Sequence, residues 1–161
     1  MPQPRWLDDD QQLAWRAMLA IVNRAFPELE RTFKEHDLLT VQYGILAALS
    51  ETPGRTMRLS DLADRSNTSP SRLTHRLRDL VEHGDIEITP DPDDGRGKIA
   101  TLTATGLQRI RRIAPDHVED VQRLLFDPLS DEQTAALADA LSTIAANLCD
   151  HTHFRTGCHA E

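Results

Sequence analysis

The sequence predicts a mainly α-helical fold carrying one small β-hairpin, and three observations lead there. Apolar residues recur at helical spacing along most of the 161 residues, as in Leu73, Leu77, Leu80 and Val81 or Leu137, Leu141, Ile144 and Leu148. The period drops from 3.6 to 2 only after Gly84, where Ile86 and Ile88 alternate with Asp85, Glu87 and Thr89. Helix start signals stand where the periodic runs begin, the clearest being Ser69-Pro70, a side-chain cap with proline at the first helical position.

Taken in order, Asp10 to about Glu35 forms a first helix, with Leu13, Ala17, Met18, Ile21, Val22 and Ala25 on one face. Pro27 removes a backbone donor within it, so a kink or break is expected near Phe26. Thr40 is placed as the cap of a second helix bearing Val41, Ile45, Leu46 and Leu49, which ends at the Pro53-Gly54 turn. A short helix with Leu59, Leu62 and Ala63 follows, and then the Ser69-capped helix runs to Gly84. The strand at Ile86–Ile88, a long polar tip over 90–97 and a return strand carrying Ile99, Thr101 and Thr103 make the hairpin. From Ala104 a long helix reaches about Phe126, bent by Pro115. Ser130 with Gln133 forms a capping box for the last helix, whose stripe is Leu137, Leu141, Ile144 and Leu148. Residues 151–161 show no periodicity and are expected to be a flexible tail.

Length and composition bound one globular domain, or a core with an accessory element. No run of 18 apolar residues spans a membrane, and the acidic start MPQPRWLDDDQQ is unlike a signal peptide, so a cytoplasmic protein is expected. Two cysteines, Cys149 and Cys158, cannot build a disulfide framework and are expected to stay reduced. The net charge of −8 argues against a nucleic-acid partner until its distribution is considered. Between Arg55 and Arg112 stand 11 basic and 9 acidic residues, so a mildly positive middle lies between acidic ends.

A short helix, a turn and a second helix with a capped start is the layout that places a recognition helix in a DNA major groove. Such a helix needs small polar residues in its first turn, for close approach to phosphate, and long donors behind them to reach base edges. Ser69, Ser71, Arg72, His75 and Arg76 meet that description. Arg96, between Gly95 and Gly97 near the hairpin tip, is placed to enter a minor groove, whose narrow stretches attract arginine.

The stretches RLSDLADRSNTSPSRLTHRLRDLVEHG, DPDDGRGKIATLTATG and APDHVEDVQRLLFDPLSDEQ resemble the MarR (multiple antibiotic resistance regulator) family, with similarity from about Leu39 to Leu148. The resemblance implies a winged helix-turn-helix over 40–103 and a helical dimerisation region from both termini, 1–39 and 104–150. It implies a homodimer on palindromic double-stranded DNA, with a small aromatic or anionic effector in the crevice behind the DNA lobe. Carried over by position, Ser69, Ser71, Arg72, Thr74, His75 and Arg76 match the recognition helix. Asp94 and Arg96 match a wing pair in which the carboxylate steadies the guanidinium, and Leu102-Thr103 with Gly106 match the motif that closes the wing. The dimer interface is assigned to Leu13, Leu137, Leu141, Ile144 and Leu148. Where the family usually carries arginine on the first wing strand, this chain has Asp85-Ile86-Glu87-Ile88-Thr89, and Asp91, Asp93 and Asp94 add further negative charge.

The function expected is therefore a sequence-specific DNA-binding regulator, a repressor released by an effector, with no cofactor and no membrane partner. No Ser/His/Asp arrangement, phosphate loop or framed carboxylate pair argues for an enzyme. One alternative is a winged-helix module working through protein contacts, as the acidic wing strand suggests. Another is a metal- or thiol-responsive regulator using Cys149, His151, His153, Cys158 and His159, whose spacing follows no familiar ligand pattern. His117 is read equally as a helical surface residue or a ligand contact, and Trp6 and Trp15 as core or dimer contacts.

Overall fold

A computed structural model describes residues 4–66 and 68–148, so Cys149, the tail cysteine and the three tail histidines lie outside the described residues. Six α-helices and a three-stranded antiparallel sheet follow one another as α1 (Asp9–Lys34), α2 (Thr40–Glu51), β1 (Thr56–Arg58), α3 (Leu59–Arg65), α4 (Pro70–Glu82), β2 (Ile86–Asp91), β3 (Asp94–Leu102), α5 (Ala104–Val121) and α6 (Asp131–Leu148). Strand β3 is central, with β1 and β2 on its two edges. No helix among the described residues is long and apolar enough to cross a membrane.

The core sits beneath α2, α3, α4, the sheet and the first turns of α5. Phe33, Ile45, Leu46, Leu49, Leu62, Leu73, Leu77, Leu80, Ile86 and Ile113 are all fully buried there. Burial of this kind contributes roughly 1.5–3 kcal/mol per large side chain. The caps explain most boundaries. The Asp8 carboxylate accepts from the Gln11 N–H at 2.8 Å, and the Gln11 side chain returns a bond to the Asp8 N–H. Ser130 and Gln133 make the same reciprocal pair ahead of α6. Ser69 caps α4, with Pro70 as its first residue. The far end of α4 closes on Gly84, at φ +73°, with the Asp85 N–H bonded to the Leu80 carbonyl and the Gly84 N–H to that of Val81.

Several sequence expectations are corrected. α1 runs through Pro27 without the break allowed for near Phe26, and α5 continues past Pro115 as the sequence predicted. Each proline deprives one carbonyl, that of Asn23 or Arg111, of a donor, but all four residues are exposed, and a carbonyl open to solvent costs far less than a buried orphan. Thr40 is not the cap of α2 but its first residue. The capping bond runs from the Leu39 N–H to the Gln42 side chain at 3.0 Å. β1 was not expected, because three residues between a turn and a helix carry no readable period. The polar tip is shorter than predicted: Pro90 and Asp91 belong to β2, and Asp94 to Lys98 belong to β3. The return strand is also out of phase with the expectation, burying Ala100 and Leu102 in place of Ile99 and Thr101. Thr103 leaves the strand altogether and caps α5, accepting from the Gly106 N–H at 3.0 Å. The long helix expected to Phe126 is α-helical to Val121 and closes in a π-helical turn over Gln122–Phe126.

A buried ion pair joins the arms of the molecule. Asp85, just after α4, is 1% exposed and pairs with the Arg109 guanidinium of α5. The other end of that guanidinium donates to the His36 carbonyl at 2.8 Å and the Asp37 carbonyl at 2.9 Å, in the α1–α2 connection. Gly106 lies one turn earlier on α5, where a side chain would run into the Asp85 carbonyl. The closing motif Leu102-Thr103 with Gly106 is thus a close approach of α5 to the α4–β2 corner.

Outside this core two helices are bare. α6 buries no residue, and α1 buries only Ala25, Leu29, Thr32 and Phe33 near its C-terminal end. Leu13, Trp15, Met18, Leu19, Ile21, Val22 and Phe26 are exposed on α1, as are Leu137, Leu141, Ile144 and Leu148 on α6. Trp6 precedes α1 and is 83% exposed, so neither tryptophan belongs to this chain's core.

Candidate nucleic-acid interface

The recognition-helix residues divide by helical spacing. Leu73, Leu77 and Leu80 turn α4 onto the core, which leaves Ser71, Arg72, Thr74, His75 and Arg78 on the exposed side. Arg76 is half-buried at the flank of the core face, and its carbonyl receives a long bond of 3.5 Å from the buried Gln42 amide. Gln42 also donates to the Asp79 carboxylate at 3.1 Å, which fixes α4 against α2. At the helix start the Ser69 hydroxyl is engaged as the cap, accepting from the Arg72 N–H at 3.4 Å and lying 3.2 Å from the Ser71 hydroxyl. Thr74 donates back to the Pro70 carbonyl. Arg78 was absent from the sequence-based site. Its spacing of seven from Ser71 and three from His75 was the signal that placed it on the same face.

The positive middle of the chain is sorted by pairing. Arg58, Arg65 and Arg109 each meet a carboxylate, of Asp91, Glu51 and Asp85 respectively, and serve the fold. Arg72, Arg76 and Arg78 on α4, with Arg96 and Lys98 on the wing, make no ion pair among the described residues. Five of the eight cations of this stretch that make no ion pair among the described residues thus lie on the two elements that the layout assigns to the major and minor grooves, as a phosphate- and base-contacting surface requires, while the other three, Arg55, Arg111 and Arg112, lie before β1 and on α5.

The wing differs from the expectation in one contact. Asp94 does not hold the Arg96 guanidinium; its carboxylate accepts from the Arg96 backbone N–H at 3.0 Å. The three wing aspartates also differ in burial, Asp93 and Asp94 being exposed. Asp91 is buried, with its Oδ2 2.7 Å from the Arg58 Nε, a contact of charges without an aligned N–H···O bond.

Behind this surface lies a groove of about 460 Å³ lined by Val22, Phe26, Pro27, Phe33, Tyr43 and His117 among others, between α1, α2 and α5. Phe33 stacks on Tyr43 with centroids 4.5 Å apart, and His117 closes the cluster 4.8 Å from Phe33 and 5.0 Å from Tyr43. The His117 Nδ1 is buried without a hydrogen-bond partner among the described residues. Burial pushes the imidazole below its usual value, and the nearby Asp120 charge opposes that only in part. In the folded chain His117 thus binds its proton less readily than in the unfolded chain. Its contribution to stability is full above about pH 6.5 and is lost as pH falls through the depressed folded value. Thermal unfolding between pH 7.5 and 5 is expected to show a smaller acid-side loss for His117→Phe than for the parent, and identical pH slopes would show that His117 does not titrate in this way.

No group of three or more His, Cys, Asp or Glu residues among the described ones is arranged to hold a metal ion. A sequence profile of the MarR family matches residues 36–97, from the end of α1 to the wing. Among solved structures, AbsC from Streptomyces coelicolor, a MarR family transcriptional regulator, is 37% identical. The match covers 90% of this chain and 98% of AbsC, with a TM-score of 0.85. Sco3205 from the same organism, a MarR family transcriptional regulator solved in complex with DNA, is 33% identical over 92% of this chain and 94% of its own, with a TM-score of 0.87. The transcriptional repressor IacR of Pseudomonas putida is 27% identical over 140 residues, 87% of this chain and 81% of IacR. With the fold, the helix-turn-helix and nearly the full length of two relatives matched together, the chain belongs to the MarR family of transcriptional regulators.

Proposed function

We propose that this regulator is a cytoplasmic repressor that binds a palindromic operator as a homodimer and is released by a small aromatic or anionic effector. The observation that carries the DNA-binding part is that Arg72 and Arg78 on the exposed face of α4, and Arg96 and Lys98 on the wing, make no ion pair among the described residues, in a chain that shares its fold and a third of its residues with a relative solved on DNA. Ser69, Ser71, Arg72, Thr74, His75 and Arg76 read the major groove in this proposal, with Arg72 the foremost base contact because it is exposed, while Arg76 is half-buried. Arg96, steadied by Asp94, serves the minor groove. The winged lobe is 40–103. The helices within 1–39 and 104–150 form the dimer through Leu13, Leu137, Leu141, Ile144 and Leu148, whose exposed apolar faces need a partner. The groove at Phe33, Tyr43 and His117 is the effector site. Its rings offer stacking, and its unpartnered imidazole nitrogen offers one polar contact.

Selection on random duplexes, followed by titration of the selected site at two salt concentrations, tests this function. A palindromic site and an affinity that falls steeply with salt are expected, because each phosphate contact adds about −0.9 to the log–log slope. Arg72→Ala is expected to cost about 1–3 kcal/mol on the selected site and to relax the preference at one base pair. Equal losses on selected and random DNA would make Arg72 a phosphate contact. No selected site at all would favour a module working through protein contacts.

A further inference from the structure

Arg96 stands in an irregular stretch of the wing. Pro90 pairs with Lys98 and Asp91 with Asp94, so Gly95, Arg96 and Gly97 of β3 face a single step of β2 and have no partner there. A bulge of this kind frees the strand from its ladder, and the ladder no longer fixes where Arg96 points. What remains is the Asp94 bond to the Arg96 N–H and a contact on the outer face of the sheet. Arg58 on β1 pairs with Ile99 and Thr89 on β2 pairs with the same residue, so Arg58 and Asp91 flank β3 from opposite edges. Their side chains meet over Gly97, with Nε 2.7 Å from Oδ2. A Cβ at position 97 would fall 3.0 Å from the Asp91 Cβ, 3.1 Å from the Asp94 Oδ2 and 3.3 Å from the Asp91 Oδ2. Glycine thus leaves the gap through which an ion pair crosses the central strand. The Asp91 side chain is 2% exposed, and its other oxygen accepts from the Asp93 N–H at 3.0 Å.

We propose that the Arg58–Asp91 pair across Gly97 is a positioning brace, which holds the bulged segment of the wing at the angle that delivers Arg96 to DNA. Arg58 and Asp91 act through Arg96 in this scheme; Asp91 is buried and touches no ligand. The brace also accounts for an acidic wing on a DNA-binding protein, because one of its three carboxylates is turned across β3 onto an arginine and another is occupied by the backbone of Arg96. The inference rests on Arg96 being a wing contact, and the test separates the two.

The experiment is a double-mutant cycle on the selected operator, with Arg96→Ala made in the parent, in Asp91→Asn and in Arg58→Gln, and folding checked for each by thermal unfolding. Arg96→Ala is expected to weaken binding roughly tenfold in the parent and less than about twofold in either broken-brace background, since coupled residues are not additive. Asp91→Asn and Arg58→Gln alone should each lose most of the Arg96 effect, Arg58→Lys should restore much of it, and Gly97→Ala should mimic the loss. Arg58→Gln lies at a half-exposed position and keeps the test valid if Asp91→Asn unfolds the wing. If Arg96→Ala costs the same factor in all backgrounds, the brace does not position it and the proposal falls while the wing contact stands. If Arg96→Ala costs nothing in the parent, both fall.

Discussion

Leu141→Asp is expected to convert the protein into a monomer that no longer binds its operator, with every residue of α4 and the wing unchanged. Leu141 sits at the middle of the α6 stripe and is 47% exposed in the single chain, so the substitution removes nothing from the core. A lone chain therefore tolerates aspartate there. In a dimer built on α1 and α6, the carboxylate would be buried without a partner, at a cost on the order of 3–5 kcal/mol, and symmetry would impose it twice. A two-lobed operator complex gains affinity from joining two half-sites, so the monomer would lose most of its binding and not a small fraction. Size-exclusion chromatography with light scattering, run beside an operator titration, reads both effects. A dimeric, operator-binding Leu141→Asp protein would show that the stripe faces away from the two-fold axis.

The helices and their boundaries were legible wherever a side chain states the boundary itself. Ser69 with Pro70, Gly84, and Ser130 with Gln133 each leave a local chemical mark, and each mark is a cap in the structure. What could not be read depends on contacts between distant residues. β1 exists because Thr56, Met57 and Arg58 find β3 some forty residues later. The phase of β3 follows from which face meets α2 and α3, and there small Ala100 faces inward in place of larger Ile99. Pro27 and Pro115 carry a real local penalty, which is tolerable at exposed positions of the two helices. In the candidate site, residue type and spacing placed Ser71, Arg72 and His75 on the exposed face of α4 and the family resemblance added Thr74; neither could say that Arg76 is half-buried, while the spacing that puts Arg78 on the same face was legible although the sequence-based site did not include it. Counting charge along the chain also merged two populations. Arg58 and Arg109 added to the positive middle on paper, yet in the fold one crosses a sheet to Asp91 and the other lies inside the molecule.

Arg109 carries the second large effect. Arg109→Met is expected to destabilise the chain by about 3–5 kcal/mol, a sizeable part of the roughly 5–15 kcal/mol that holds a domain of this size together. The physical reason is Asp85, buried to 1% exposure, whose charge would be left without its cation. The His36 and Asp37 carbonyls would lose their donor in the same step. Because those carbonyls lie between α1 and α2 while Asp85 lies between α4 and β2, the loss also loosens the link from the long first helix to the helix-turn-helix. Operator affinity should therefore fall even below the unfolding transition, although Arg109 is only 13% exposed and is not placed to touch DNA. Adding Asp85→Leu to Arg109→Met removes the stranded carboxylate, and it should recover much of the stability without recovering the link to the α1–α2 connection. Urea unfolding of the parent, the single variant and the double variant measures this directly. A single variant within about 1 kcal/mol of the parent would mean that water reaches Asp85 when its partner is gone, and that the joint is held by the packing of Gly106 against the Asp85 carbonyl and not by charge.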